Sequence, residues 1–192
     1  ENTPEDTEIK YVEIGDVDSV TGINGYTLYK FKEAPSRARR ITKVGDIIIS
    51  TVRTYLKAIA SVKESDLIVS TGFAVLRPQK IASRFLAYAV LCKGFIDDVI
   101  AYSTGVSFPA INASDLVQLR ISVPPLSEQD TIAAYLDYKI GQIDLLIAEK
   151  EKQMKDLQQY RMSLLSETVT RGLTPDVKMK ESGVEWLGMI PE

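Results

Sequence analysis

The sequence predicts an α+β chain: a mixed, mostly-β domain over residues 1–125, a long α-helix over 126–172, and a tail over 173–192. Three observations predict it. β-Branched runs bounded by turn residues occupy much of the first part. Apolar residues recur at helical spacing between Ser83 and Tyr102. From Ser127 to Arg171 there is no proline and only one glycine, Gly141. As helix that span measures ~68 Å, too long to bury itself against so small a domain.

Each element has its own signal. Tyr11–Val17 alternates weakly and reads as a strand. Gly45-Asp46 is a turn, and Ile47–Val52 after it is a β-branched run. Lys57–Val62 and Leu67–Leu76 read as further strands, the second stopped by Arg77-Pro78. In Ser83–Tyr102, Phe85, Leu86, Ala89, Val90, Phe95, Ile96, Val99 and Ile100 mark one helix, ended by Ser103-Thr104-Gly105. Leu116–Val123 reads as a last strand, closed by Pro124-Pro125. Ser127 is the expected cap of the long helix, with Asp130 in its first turn. Gly172, beside Arg171, is the expected stop. Thr174-Pro175-Asp176 begins a linker.

The long helix carries a stripe. Leu136, Ile140, Ile143, Ile147, Lys150, Met154, Leu157, Arg161, Leu164 and Thr168 alternate steps of four and three without a break, which is a heptad seam. Its apolar members are Leu136, Ile140, Ile143, Ile147, Met154, Leu157 and Leu164. The polar positions lower stability but help set register. Whether as a coiled coil or as part of a bundle, the seam needs another helix.

Composition excludes several kinds of chemistry. The chain has 192 residues, 45% hydrophobic and 26% charged, which is ordinary globular usage. There is no histidine and a single cysteine, Cys92. That removes the commonest general base, any Ser-His-Asp or Cys-His site, and a tetrahedral zinc site. Cys92 reads as a buried structural thiol. No Gly-x4-Gly-Lys-Ser/Thr or Gly-x-Gly-x-x-Gly loop occurs. Asp97-Asp98 diverge on their helix, and Asp176-x-Lys178 sits in a linker without a partner acid. Ser122-Val123-Pro124-Pro125-Leu126 lacks the polar and aromatic residues of an adenine-methyltransferase loop. No catalytic residue, metal site or cofactor is expected. No apolar run approaches the ~20 residues of a membrane span, and the acidic start is not a signal peptide, so a cytoplasmic location is expected.

The positive signal is a surface. Net charge is −3 and the pI about 5.2, but the charges are segregated. Residues 1–18 carry seven acids against one lysine, and residues 30–63 carry nine bases against two acids. A local basic face can hold a phosphate backbone on an acidic molecule. Arg37, Arg39 and Arg40 form one cluster. Arg53, Tyr55 and Lys57 follow the Ile47–Val52 strand, and Thr104 and Ser107 lie in a hydroxyl-rich loop. Arginine forks onto guanine or phosphate, and hydroxyls bond to either. These eight residues are the candidate DNA contacts.

Several stretches together resemble one family. Gly45-Asp46-Ile47-Ile48-Ile49-Ser50 with Thr51-Val52-Arg53 is similar to a stretch of target-recognition domains. Thr104-Gly105-Val106-Ser107-Phe108-Pro109-Ala110-Ile111-Asn112 resembles their Gly-x-x-x-Pro-x-Ile segment. Val123-Pro124-Pro125-Leu126-Ser127-Glu128-Gln129 resembles their Pro-Pro-Leu-x-Glu-Gln lead into a central helix. Lys180-Glu181-Ser182-Gly183-Val184-Glu185-Trp186-Leu187-Gly188-Met189-Ile190-Pro191 resembles the segment that opens each recognition half. The family is the specificity subunits of type I restriction–modification systems, and the chain resembles one half: one target-recognition domain plus one conserved helix.

The resemblance implies a role. Such subunits hold two recognition domains apart on paired, roughly antiparallel helices, and each domain reads one half of a split double-stranded DNA target. Methylation and restriction subunits dock on them. S-adenosylmethionine, ATP and Mg are expected only on those partners. The order departs from the family, because the opening segment stands at the C-terminal end. The chain therefore reads as a half subunit in shifted order or a fragment, with the N-terminal strand missing or supplied by residues 180–192 of another chain. A homodimer, or pairing with a second half subunit, would satisfy the seam. Two rivals stand beside this reading: a coiled-coil adaptor with a protein-binding head, and an enzyme whose carboxylates hold a metal.

Overall fold

Ile47, Ile48 and Ile49 are each no more than 1% exposed. A strand buried on both faces requires a layer on either side of it. The computed structural model describes residues 3–173 and 177–192 and divides into two compact units, Glu1–Tyr135 and Leu136–Glu192. In the first unit the strands are β1 (Glu8–Val12), β2 (Val17–Asp18), β3 (Gly22–Ile23), β4 (Thr27–Lys30), β5 (Ala38–Ile41), β6 (Ile47–Ser50), β7 (Ile59–Ser61), β8 (Leu67–Ser70) and β9 (Phe73–Leu76). Helices α1 (Ser83–Ala89), α2 (Lys93–Ala101) and α3 (Ala113–Leu116) follow, and then α4 (Leu126–Arg171) begins.

Two sheets stack. One is antiparallel with the order β7-β6-β9; the other has the order β4-β1-β8-β5, in which β1 and β8 run parallel. The period of two sorts the side chains between layers. Ile47 and Ile49 face Leu86, Val90, Phe95 and Val99 of the helical layer. Ile48, on the opposite face of β6, packs with Val12, Val69 and Phe73 between the sheets. Ile9, Tyr11 and Ile68 on the far face of the second sheet pack with Ala38, Phe31 and Ala34.

The expected α+β architecture, mixed β-structure followed by a long helix, is what the chain forms. Several expected elements differ. The strand expected at Tyr11–Val17 lies at Glu8–Val12, because Ile14–Asp16 closes into a 3-10 turn in which the Glu13 amide donates to the Asp16 carboxylate at 2.9 Å. Ile47–Val52 is strand only to Ser50, and Lys57–Val62 only over Ile59–Ser61. Leu67–Leu76 is two strands in different sheets, β8 and β9, parted by a turn at Thr71-Gly72. A Cβ on Gly72 would stand 2.8 Å from Ile14 Cδ1 and 3.3 Å from Val52 Cγ2, so only glycine lets the chain turn there without displacing both.

The helix expected over Ser83–Tyr102 is two, α1 and α2, because Cys92 adopts extended dihedrals (φ −61°, ψ 139°). Cys92 is exposed, not buried. Leu116–Val123 is not a strand: α3 ends at Leu116, and Leu119 and Ile121 pack against the helical core without strand hydrogen bonds. Residues 8–41 supply β1, β4 and β5 to the four-stranded sheet.

Helix α4 has 46 residues, or ~69 Å at the standard rise. Ser127 is not its cap. The helix begins one residue earlier, and the Pro125 carbonyl accepts the first amides, from Glu128 and Gln129. Its buried residues, Gln129 and Ala133, both belong to the first unit.

In the second unit the seam is open. Ile140, Ile143, Ile147, Met154, Leu157 and Leu164 are exposed and Leu136 is half-buried. The helix stops at Gly172 as expected. Beyond it β10 (Met179–Glu181) pairs antiparallel with β11 (Met189–Pro191), and Trp186 between them is exposed. The Thr174–Asp176 linker, with Asp176 of the discounted metal pair, lies outside the described residues.

Candidate nucleic-acid interface

Two loops far apart in sequence are fastened side by side. The first leaves β6 at Thr51, whose amide and hydroxyl both donate to the Gly72 carbonyl, at 2.8 and 3.0 Å. The Thr51 carbonyl accepts the Ile111 amide at 2.9 Å, and Val52 bridges to Ala110. The second loop, Ser103–Ala110, is closed on itself by Thr104 and Ala110, whose amides donate to each other's carbonyls at 2.9 Å. Gly105 has φ +109°, and a Cβ there would press on the Phe108 carbonyl at 3.3 Å, so the loop needs glycine at that point.

The first loop is held in an uncommon shape. Arg53 and Lys57, with φ of 52° and 53°, are left-handed and bracket the 3-10 turn Thr54–Leu56. Non-glycine residues seldom adopt that region. Thr54 is the anchor: it is buried, and its Oγ1 lies 2.8 Å from Ser103 Oγ. Ser103 donates its own proton to the Val99 carbonyl at 2.6 Å, so Thr54 is the donor in that pair. With Thr54 pulled inward, Arg53, Tyr55, Leu56 and Lys57 are left exposed.

All eight predicted contact residues are exposed. The structure brings five together: Arg53, Tyr55 and Lys57 on the first loop, Thr104 and Ser107 on the second. Arg37 adjoins them through the backbone, since its carbonyl accepts the Thr71 amide at 2.8 Å and Gly72 is the next residue. Arg39 and Arg40 form a separate patch on the edge strand β5, where a bulge breaks the register. Arg39 lies over the Phe31 ring at 5.0 Å and donates to the Ala38 carbonyl. Sequence reasoning missed Phe108, whose ring lies 4.7 Å from the Arg53 guanidinium carbon. An exposed aromatic in a loop of small and hydroxyl residues was the available signal.

Charge separates as well. Asp6 of the acidic start pairs with Lys32 at 2.8 Å, and Lys10, the one lysine of that segment, pairs with Glu64. Neither residues 51–57 nor residues 103–111 contain an acid. Among the described residues there is no group of carboxylates and thiols placed to hold a metal ion. No helix among them is long and apolar enough to cross a membrane.

A family model described as the type I restriction modification DNA specificity domain matches residues 2–155. The chain belongs to this family. The specificity domain is 32% identical over 101 residues to the type I restriction enzyme EcoKI specificity subunit of Escherichia coli (strain K12), a match covering 52% of this chain and 22% of that one. It is similar in structure to the HsdS subunit from Thermoanaerobacter tengcongensis, with TM-score 0.70 and 28% identity over 94% of this chain and 45% of that chain. A second solved chain, from a study of complex assembly and conformational transition of the type I R-M system, gives TM-score 0.74 and 28% identity over 95% of this chain and 52% of its own. The specificity domain thus spans about half the length of the solved chains it matches, and the match to EcoKI covers less than a quarter of that subunit.

Proposed function

We propose that this specificity domain reads one half of a split double-stranded DNA target for a type I restriction–modification complex. The observation that carries the reading is the pair of fastened loops, which gathers Arg53, Tyr55, Lys57, Thr104 and Ser107 from distant parts of the sequence onto two adjoining loops that contain no acid. Arg37, Arg39 and Arg40 are assigned to the phosphate backbone around it. Family membership favours this reader over an adaptor with a protein-binding head.

The division of labour follows. Residues 1–125 read, residues 126–172 pair with another helix, and residues 173–192 lead onward. The chain is non-catalytic and cytoplasmic. Methylation and restriction subunits dock on it and carry S-adenosylmethionine, ATP and Mg. The pairing helix is that of a second copy or of a second half subunit. An antiparallel pair of copies with Leu136 opposite Thr168 supports the first: Lys150 then meets Met154, and Arg161 meets Ile143. No layer holds two charges, and Lys139 flanks Glu167.

The test is fluorescence anisotropy of labelled duplex DNA across a salt series. Affinity is expected to fall steeply with salt, by ~0.9 log unit per log unit of salt for each phosphate contacted. Arg53→Ala is expected to weaken the preferred duplex by ~1–3 kcal/mol. Salt-insensitive or absent DNA binding would refute the proposal.

A further inference from the structure

Within the fastened loops an arginine of one meets an aromatic ring of the other. The Arg53 guanidinium lies over the Phe108 ring at 4.7 Å. Among the described residues it pairs with no carboxylate. Stacking uses the face of the guanidinium and leaves the N–H groups at its edge free to donate. A carboxylate partner would have consumed that fork.

The surroundings fix where the fork stands. Arg53 is left-handed, and the next residue, Thr54, is buried and bonded to Ser103. The backbone at Arg53 is therefore tied to the base of the loop that carries Phe108. That loop is closed by the Thr104–Ala110 bridge and joined to Val52 through Ala110. Uncommon backbone conformations persist only where the surroundings over-determine them, and they gather at functional positions. Phe108 itself is 61% exposed, so it is not held there by core packing.

We propose that Arg53 specifies a guanine through its O6 and N7 edge, and that Phe108 is the positioning residue that holds the plane of the Arg53 fork; the proposal rests on the DNA-reading function above. Lys57, the other left-handed residue of the turn, carries a point charge without a planar fork and takes a phosphate. Base reading and backbone holding are thereby divided between the two ends of one 3-10 turn.

The experiment is selection of full-chain protein against a library of duplexes with randomised positions, followed by affinity measurements on the selected duplex at several salt concentrations. The wild type is expected to enrich a motif containing a guanine. Arg53→Ala and Phe108→Leu are each expected to lose preference at that same position, with affinity for the selected duplex falling ~10–100-fold. The double variant is expected to be no worse than Arg53→Ala alone. Phe108→Tyr keeps a ring face and is expected to restore the preference. Phe108→Leu is expected to keep the wild-type salt slope and melting temperature, whereas Lys57→Ala weakens all duplexes alike and lowers the slope by about one.

An unchanged preference in Phe108→Leu would overturn the positioning role. Loss at a base other than guanine in Arg53→Ala would overturn the reading role. A wild type that binds no duplex in a salt-dependent way would overturn the DNA-reading function, and this inference with it.

Discussion

Gln129 is 1% exposed, and its amide bonds at both ends. Oε1 accepts the Ala82 amide at 2.8 Å, and Nε2 donates to the Pro124 carbonyl at 2.7 Å. Ala82 is the extended residue just before α1, so a single side chain satisfies an amide at the entry to α1 and a carbonyl just before α4. Gln129→Leu keeps the volume and removes both bonds. An orphaned buried polar group costs about 1–3 kcal/mol. Ala82 and Pro124 are half-buried and regain some water, so the sum is placed near the low end, ~2 kcal/mol. Gln129→Ala adds a cavity and a further ~1–2 kcal/mol.

The assay is urea unfolding followed by circular dichroism. With a slope of ~1–3 kcal/mol per molar, the leucine variant is expected to shift the midpoint down by about 1 M and the alanine variant by more. A leucine variant that unfolds with the wild type would refute the hydrogen-bond argument. Equal losses in the two variants would refute the separation of bonding from volume.

Three further outcomes are expected. Burial alone would raise the Asp46 carboxyl, but two hydrogen bonds from Arg77, one from the Lys43 amide and the charges of Arg77 and Lys43 hold it below the usual carboxylate value. Its contribution is therefore complete above the unfolded value of about 3.9 and lost as pH falls through the lower folded value. Melting across a pH series should show Asp46→Asn less stable by ~2 kcal/mol at neutral pH, with the difference shrinking in acid; a constant difference would count against the argument. Ile48→Ala, at a 0% exposed position between the sheets, is expected to cost ~3–4 kcal/mol by denaturant titration, and a loss under 1 kcal/mol would mean the site collapses around the gap. Leu157→Glu changes a residue that is 66% exposed, so it should leave folding intact yet halve the molar mass measured by light scattering; a wild-type monomer at high concentration would refute self-pairing.

The long helix of this chain was more legible in its sequence than the strands, for physical reasons. Helix α4 declares itself through local signals: no proline, an unbroken three-four stripe and a terminal glycine. Its beginning at Leu126 was legible too, although Ser127 is not its cap: the Pro125 carbonyl takes the first amides. β6 was legible as a β-branched run. β8 and β9 were read as one strand because both are apolar, and the steric demand at Gly72 comes from Ile14 and Val52, neither of them near it in sequence. β4 and β5 passed unnoticed: Thr27–Lys30 and Ala38–Ile41 expose most of their residues, so no alternation of buried and exposed positions marks them. Cys92 was expected inside because it sits among apolar residues, and the helix break at that residue turns it out.

The candidate surface divides in the same way. Residue type was enough to nominate Arg53, Tyr55, Lys57, Thr104 and Ser107, since forks, rings and hydroxyls suit base edges wherever they lie. It was not enough to separate them from Arg39 and Arg40, which form the denser charge run. Charge density is a property of the sequence, whereas convergence depends on contacts made across the fold. Val52 meets Ala110, Thr54 meets Ser103, and Arg53 meets Phe108. Each of these pairs spans some fifty residues, and none involves two charged groups. None of the contacts that assemble the surface is therefore an ion pair, and a sequence searched for charge passes over their partners. The arginine run draws the eye first, but Arg53 is the one whose left-handed backbone adjoins the anchored Thr54 and whose guanidinium meets an aromatic ring from a distant loop.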